Sequence, residues 1–175
     1  QNNIKNIFIL GVKEMVDEIE KKTNVNNTSD NPDLIIVAYD KELTYQKLET
    51  ACELINRGVP YYLSHIDIFC PTLKGNMPDC GAIGILIEKT TGKKSINNFG
   101  KPSDLMADYI SKILRKEINK TVVGDRIHTD IELGKKLGAD TVLVCSGEYQ
   151  PSTDKNHSIK DTQIFNTLTD YLITV

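Results

Sequence analysis

Short apolar runs alternate along the chain with stretches in which apolar residues recur every three or four positions. That is the rhythm of strands alternating with amphipathic helices. Residues 4–10 are apolar and β-branched and stop at Gly11, which predicts a strand. Over residues 12–21, Val12, Met15, Val16 and Ile19 follow helical spacing. Residues 22–31 are rich in Asn, Ser, Thr and Asp and predict a solvated loop. The continuous apolar run over 34–38 is what a strand covered on both faces requires. Thr44 is placed to cap the next helix, whose inner face is Leu48, Ala51, Cys52 and Ile55, with Gly58 at its end. Tyr61, Tyr62 and Leu63 predict a short strand leading into a loop with Pro and Gly, and residues 81–91 predict a helix stopped by Gly92.

The pattern resumes after Ile96, with a strand expected just ahead of Gly100. Ser103 is a plausible cap for a helix running to about Lys116, with Leu105, Tyr109, Ile113 and Leu114 turned inward. Strands are predicted at 121–123 and 141–144, with a helix at 130–137 between them. Residues 150–160 are polar and predict a loop, and Phe165, Leu168, Tyr171 and Leu172 a closing helix or strand. This alternation points to an α/β protein with mostly parallel strands.

Composition narrows the function. The chain has 175 residues, enough to bury a core, and a net charge of −3 without a concentrated basic surface. No nucleic acid is therefore expected as partner, since phosphate-backbone binding needs clustered Lys and Arg. No apolar run approaches the roughly 20 residues that span a bilayer, so no membrane partner is expected either. Cys52, Cys70, Cys80 and Cys145 are scattered, and His65, His128 and His157 fall at no zinc-like spacing. Reduced, mostly buried thiols in a cytoplasmic protein are the expectation. The sequon at Asn27 marks a polar loop, and the first residue is Gln1 rather than Met.

Two stretches carry candidate chemistry. In Val123-Gly124-Asp125-Arg126-Ile127-His128-Thr129-Asp130, a buried strand ends in a tight turn that sets two carboxylates before a helix. Ligands bind at the carboxyl ends of strands in α/β sheets, and two such acids suit a hard cation such as Mg²⁺. Taken alone, the same residues are also a common Gly-Asp turn followed by an Asp cap. In Phe99-Gly100-Lys101-Pro102-Ser103, Lys101 lies just ahead of a capped helix, where an ammonium can neutralise a carboxylate and a phosphoryl group together. Alone, it is equally a solvated lysine, and the spacing is not that of a P-loop.

The two in combination, strand–G-K-P-S–helix and then strand–G-D-R-x-x-T-D-I–helix, resemble the third and fourth motifs of haloacid dehalogenase (HAD) superfamily phosphatases. More narrowly, the chain is similar to subfamily IIA: 4-nitrophenyl, phosphoglycolate and pyridoxal phosphate phosphatases, which carry a large inserted cap ahead of the lysine motif. Ile9-Leu10-Gly11, then Ala38-Tyr39-Asp40 with residues 43–48, then Asp67, Pro71, Gly75, residues 78–83 and Thr91-Gly92 resemble that cap. The resemblance spans about residues 7–147. It implies a cap domain of the large α/β type over residues 1–96, for substrate choice and dimerisation. Residues 97–175 would be the C-terminal half of a Rossmann-like HAD core.

The resemblance further implies phosphoryl transfer to an aspartate and hydrolysis of the aspartyl-phosphate, with Mg²⁺ as cofactor and a small phosphorylated metabolite as substrate. Asp125 would be a direct metal ligand and Asp130 would support the metal's waters or ligand orientation. Lys101 would pair with the nucleophile and the phosphoryl oxygens. The loop 64–71 would face the substrate through His65, Asp67 and Cys70, and the caps would form a homodimer.

One departure is plain. The family's nucleophile motif, D-x-D-G-[TV], does not occur, and the chain contains no Asp-x-Asp. The chain alone is therefore not expected to perform this chemistry, and its core strands are expected to leave apolar edges unpaired. Three explanations stay open: the nucleophile lies in a part of the parent protein outside this chain; the protein is a degenerate relative kept for ligand binding or dimerisation; or the fold is an unrelated α/β binding domain.

Overall fold

The computed structural model describes residues 4–114, 119–152 and 159–175. It divides into two compact units, Gln1–Gly100 and Lys101–Val175. His157 and the expected end of the Ser103-capped helix at Lys116 lie outside the described residues, as does most of the expected loop 150–160.

The first unit is built on four parallel strands, β1 (Asn6–Leu10), β2 (Asn26–Asn27), β3 (Leu34–Val37) and β4 (Tyr61–Leu63), in the order β2-β1-β3-β4. Helices α1 (Lys13–Lys22), α2 (Tyr45–Asn56) and α3 (Cys80–Thr91) connect or follow them. Ile35 and Val37 are fully buried and alternate with half-buried neighbours. They join Leu10, Ala51, Leu54, Ile55, Ile83 and Ile87 in one apolar cluster between sheet and helices. The Thr44 hydroxyl accepts the Lys47 amide at 3.2 Å and so caps α2. Gly92 ends α3 at φ 70°, a left-handed position that suits glycine.

Charge is held at the carboxyl ends of β1 and β3. The buried Asp40 carboxylate accepts from Lys47 Nζ at 2.7 Å and from the Glu42 amide at 2.8 Å, and Lys47 Nζ also reaches the Gly11 carbonyl at 3.3 Å. A buried carboxylate needs such partners to remain ionised without a large desolvation cost.

Three expectations for this unit change. The loop over 22–31 contains a two-residue strand, because Asn26 and Asn27 pair with the free edge of β1. The loop after β4 contains an antiparallel hairpin, β5 (Phe69–Thr72) and β6 (Gly75–Pro78), turning through Gly75 at φ 111°. Its alternation was masked by the two prolines and by the exposure of nearly every residue. Ahead of Gly100 there is no regular strand. Residues 96–99 run beside β4 through three backbone bonds and one isolated bridge, Leu63 to Asn98.

The second unit holds β7 (Thr121–Gly124), β8 (Asp140–Val144) and β9 (Thr162–Phe165), all parallel, in that order. Ser103 caps α4 (Asp104–Ile113), accepting the Met106 amide at 3.1 Å. The inward face of α4 differs from expectation. Ala107 is buried, and Met106 and Ile110 pack with it against Leu133 and Leu137, whereas Leu105, Tyr109, Ile113 and Leu114 are exposed. The small Ala107 allows close helix contact, so the packed stripe lies one position away from the bulkier residues. The helix predicted from 130 begins earlier, as a wide-turned π helix at Ile127–Ile131, and continues as α5 (Glu132–Lys136). The closing segment forms both elements, β9 and then α6 (Leu168–Leu172). No helix among the described residues is long and apolar enough to cross a membrane.

All four cysteines are free, but only Cys80 is fully buried. Its Sγ donates to the Val37 carbonyl at 3.1 Å, and burial pushes the thiol's pKa up. In the native protein, Ellman's reagent should therefore modify Cys70 while Cys80 reacts only after unfolding; early modification of Cys80 would contradict this packing. Thr44→Ala should cost about 1 kcal/mol by urea denaturation, the usual value of a lost helix cap.

Candidate active site

Strand β7 ends in Gly124, and the chain then turns through Asp125 and Arg126 into the π helix. The turn is closed by Asp130. Its Oδ2 accepts the Arg126 amide at 3.2 Å, and its Oδ1 accepts Lys101 Nζ at 2.5 Å. Asp130 is buried while Lys101 is about half exposed, so the ammonium neutralises a carboxylate that has little access to water. Gly124 is required here. A Cβ on it would sit 2.3 Å from the Asp130 carboxylate, closer than atoms can approach. The structure thus brings Lys101 and Asp130 into direct contact at the end of β7, one turn from Asp125.

Asp125 has a different environment. Its Oδ2 accepts the Glu148 amide at 2.8 Å, from the turn after β8. Arg126 is ion-paired through Nη2 with Glu148 Oε1. The buried Thr129 hydroxyl, just before Asp130, has no hydrogen-bond partner. With Asp130 committed to Lys101 and the Arg126 amide, Asp125 is the carboxylate left with an oxygen to offer. This all-oxygen set fits a hard divalent cation that completes its shell with water.

The expected substrate loop lies in the first unit. His65 Nε2 is 2.7 Å from Asp79 Oδ1, and Ser64 Oγ is 2.8 Å from Nδ1. A carboxylate can only accept, so Nε2 donates to Asp79, while Nδ1 and the serine hydroxyl share the second hydrogen bond. Asp79 Oδ1 also accepts the Cys80 amide at 2.6 Å and caps α3. The loop packs tightly. A Cβ on Gly81 would lie 2.2 Å from the Ile66 carbonyl, and one on Gly100 would lie 2.6 Å from His65 Cβ. His65, Asp67 and Asp79 offer ligand atoms within 4.8 Å of one another, the one such group among the described residues. Cys70 sits half-buried on β5, opposite Met77.

Sequence reasoning missed Asp79, Gly147 and Glu148. The first had a signal, an Asp just ahead of a helix; the other two had none, since their role depends on a contact across the sheet.

Comparison with known proteins decides the family. Residues 98–171 match the HAD-hydrolase-like family model. The 5'-nucleotidase YutF of Bacillus subtilis is 26% identical over 173 residues, covering 98% of this chain and 67% of its own. A 4-nitrophenylphosphatase from Thermotoga maritima superimposes with a TM-score of 0.88 at 35% identity, over 98% of this chain and 66% of that one. The structure of Bs-TpNPPase gives 0.82 at 30% identity, over 97% and 67%.

The chain belongs to the HAD superfamily, subfamily IIA.

Its parallel α/β sheets match the solved structures of this subfamily, and these relatives are phosphomonoester hydrolases. The chain spans about two thirds of the length of the Thermotoga relative and 52% of a dihydroxyacetone phosphatase from Corynebacterium glutamicum.

Asp130→Ala should destabilise the protein by roughly 1–3 kcal/mol in chemical denaturation, because it leaves the Arg126 amide and Lys101 without their acceptor. A change below a few tenths would mean the carboxylate does not hold the turn.

Proposed function

We propose that this chain is the larger part of a Mg²⁺-dependent phosphomonoesterase acting on a small phosphorylated metabolite through an aspartyl-phosphate. The attacking aspartate would come from outside these 175 residues. The observation that carries the reading is the Lys101–Asp130 pair at the end of β7, beside an Asp125 with an oxygen to spare. In this reading Lys101–Val175 is the C-terminal half of the core and the preceding unit is the cap.

Strand β7 pairs only with β8 among the described residues, which leaves one edge open. A parallel strand added there would end beside Gly124 and Asp125 and could deliver a carboxylate next to Lys101. The exposed Leu105, Tyr109 and Ile113 of α4 are a second surface that further chain could cover.

Within this site Asp125 would present one oxygen to the cation, and Lys101 would stabilise the phosphoryl oxygens while Asp130 holds its amine in place. Magnesium, when bound, polarises the phosphoryl group and offsets the charge that develops on it. The aspartate oxygen would bond to phosphorus as the ester P–O bond breaks and the alcohol leaves with a proton taken from solvent. Water would then attack the same phosphorus, breaking the aspartyl P–O bond, releasing inorganic phosphate and restoring the carboxylate. From the cap, Asp67 and Cys70 would meet the substrate. His65, whose two ring nitrogens are already hydrogen-bonded, would touch it only by exchanging a partner.

The test is hydrolysis of 4-nitrophenyl phosphate by the full-length protein with and without EDTA. Asp125→Asn and Lys101→Ala should each lower kcat by about 10²-fold or more, the usual loss when a preorganised charge is removed. Turnover untouched by Asp125→Asn would sink its assigned role.

A second reading, self-association through the first unit, is favoured by exposed Ile68, Phe69, Leu73 and Met77 on and beside the hairpin. Sedimentation velocity should then give a dimer that Leu73→Asp together with Met77→Lys converts to monomer. A monomeric parent protein would exclude it.

A further inference from the structure

The hydrogen bond to the Asp125 carboxylate comes from the turn after β8, not from its own motif. A Cβ on Gly147 would lie 1.9 Å from Asp125 Oδ2, so that carboxylate oxygen fills the space any side chain would need. The next amide, of Glu148, donates to the same oxygen at 2.8 Å. The Glu148 side chain then returns to Arg126, the residue directly after Asp125, as an ion pair. Its partners are 25% and 31% exposed, so water screens the pair only in part. Tyr149 follows, buried against Ile127, Ile131 and Leu143, and ties the turn to the core.

These contacts form a closed loop of constraint around one carboxylate. An aspartate at the end of a strand can rotate about its terminal torsion and present either oxygen. Here a fixed amide takes Oδ2, the absent Cβ of Gly147 makes room for it, and the ion pair fastens that amide to the backbone beside Asp125. Among the described residues Oδ1 accepts no hydrogen bond, which leaves it available to a ligand. Outer partners of this kind orient ligating carboxylates and lower the ordering cost of binding.

We propose that Gly147, Glu148 and Arg126 are positioning residues that fix the orientation of the Asp125 carboxylate for a divalent cation. This rests on the metal-dependent reading above and adds to it the element that sets metal affinity.

The experiment is Mg²⁺ titration of the full-length protein by isothermal titration calorimetry without substrate, paired with the metal-free melting midpoint. Gly147→Ala and Glu148→Ala should each weaken Mg²⁺ binding by about 10–100-fold, the range seen when an outer partner of a metal ligand is lost. The metal-free midpoint of Glu148→Ala should stay close to that of the parent protein. Should Gly147→Ala fail to fold, Glu148→Ala decides alone. Parent-like affinity in Glu148→Ala, or a melting midpoint that falls along with affinity, would overturn the brace while leaving the phosphatase reading intact. A parent protein that binds no Mg²⁺ would overturn both.

Discussion

The second unit depends on one carboxylate with no oxygen to spare. Asp130 is buried, so leaving it ionised and unpaired would cost several kcal/mol. One oxygen is satisfied by Lys101, which opens the unit, and the other by the Arg126 amide at the end of β7. A side chain on the helix thereby ties together the entry of the chain, the tip of a strand and the start of the π helix. The arrangement needs Gly124, because the carboxylate occupies the volume where any larger residue would place its Cβ. The wide turn at Ile127–Ile131 carries this carboxylate, which accepts from an amide four positions earlier and from an amine 29 positions earlier.

The first unit solves a similar problem twice. Its strands are parallel, so their carboxyl ends gather at one rim, and the loops that leave that rim must satisfy their own polar groups. At β1 and β3 the solution is ionic, Asp40 with Lys47 and the Gly11 carbonyl. After β4 it is a relay of hydrogen bonds from Ser64 through His65 to Asp79, whose oxygen also caps α3. That relay uses both nitrogens of the imidazole. A histidine that looks like a free ligand in the sequence therefore spends its polar atoms on holding its own loop.

How much of this was legible follows from the range of each interaction. Strands β1, β3, β4, β7 and β8, helices α1 to α4 and the caps Thr44 and Ser103 were readable, because local spacing and local hydrogen bonds make them. The hairpin 69–78 was not, since it has almost no buried face to impose alternation. The inward face of α4 is not legible from side-chain bulk, because the contact with Leu133 and Leu137 selects the small Ala107. Lys101 and Asp130 could be singled out by residue type and context, but their direct pairing is a contact across 29 positions. The support of Asp125 by Gly147 and Glu148 spans 22 to 23 positions and left no trace in the motif.

If the site holds a phosphate as proposed, the charges around Asp125 decide what it must be given first. Lys101 and Arg126 supply two cationic side chains, but each is already paired, with Asp130 and with Glu148. Asp125 adds a further negative charge that, among the described residues, is bonded to an amide alone. Three carboxylates against two cations would repel a phosphomonoester dianion, and a nucleophilic aspartate placed beside Lys101 would add to that repulsion. A divalent cation would reverse the sign, and Asp125 Oδ1 is a carboxylate oxygen open to it. In the proposed reading, the same surplus of negative charge that would repel substrate from the bare site would draw the metal into it, so metal and phosphate would bind in that order of dependence and not independently.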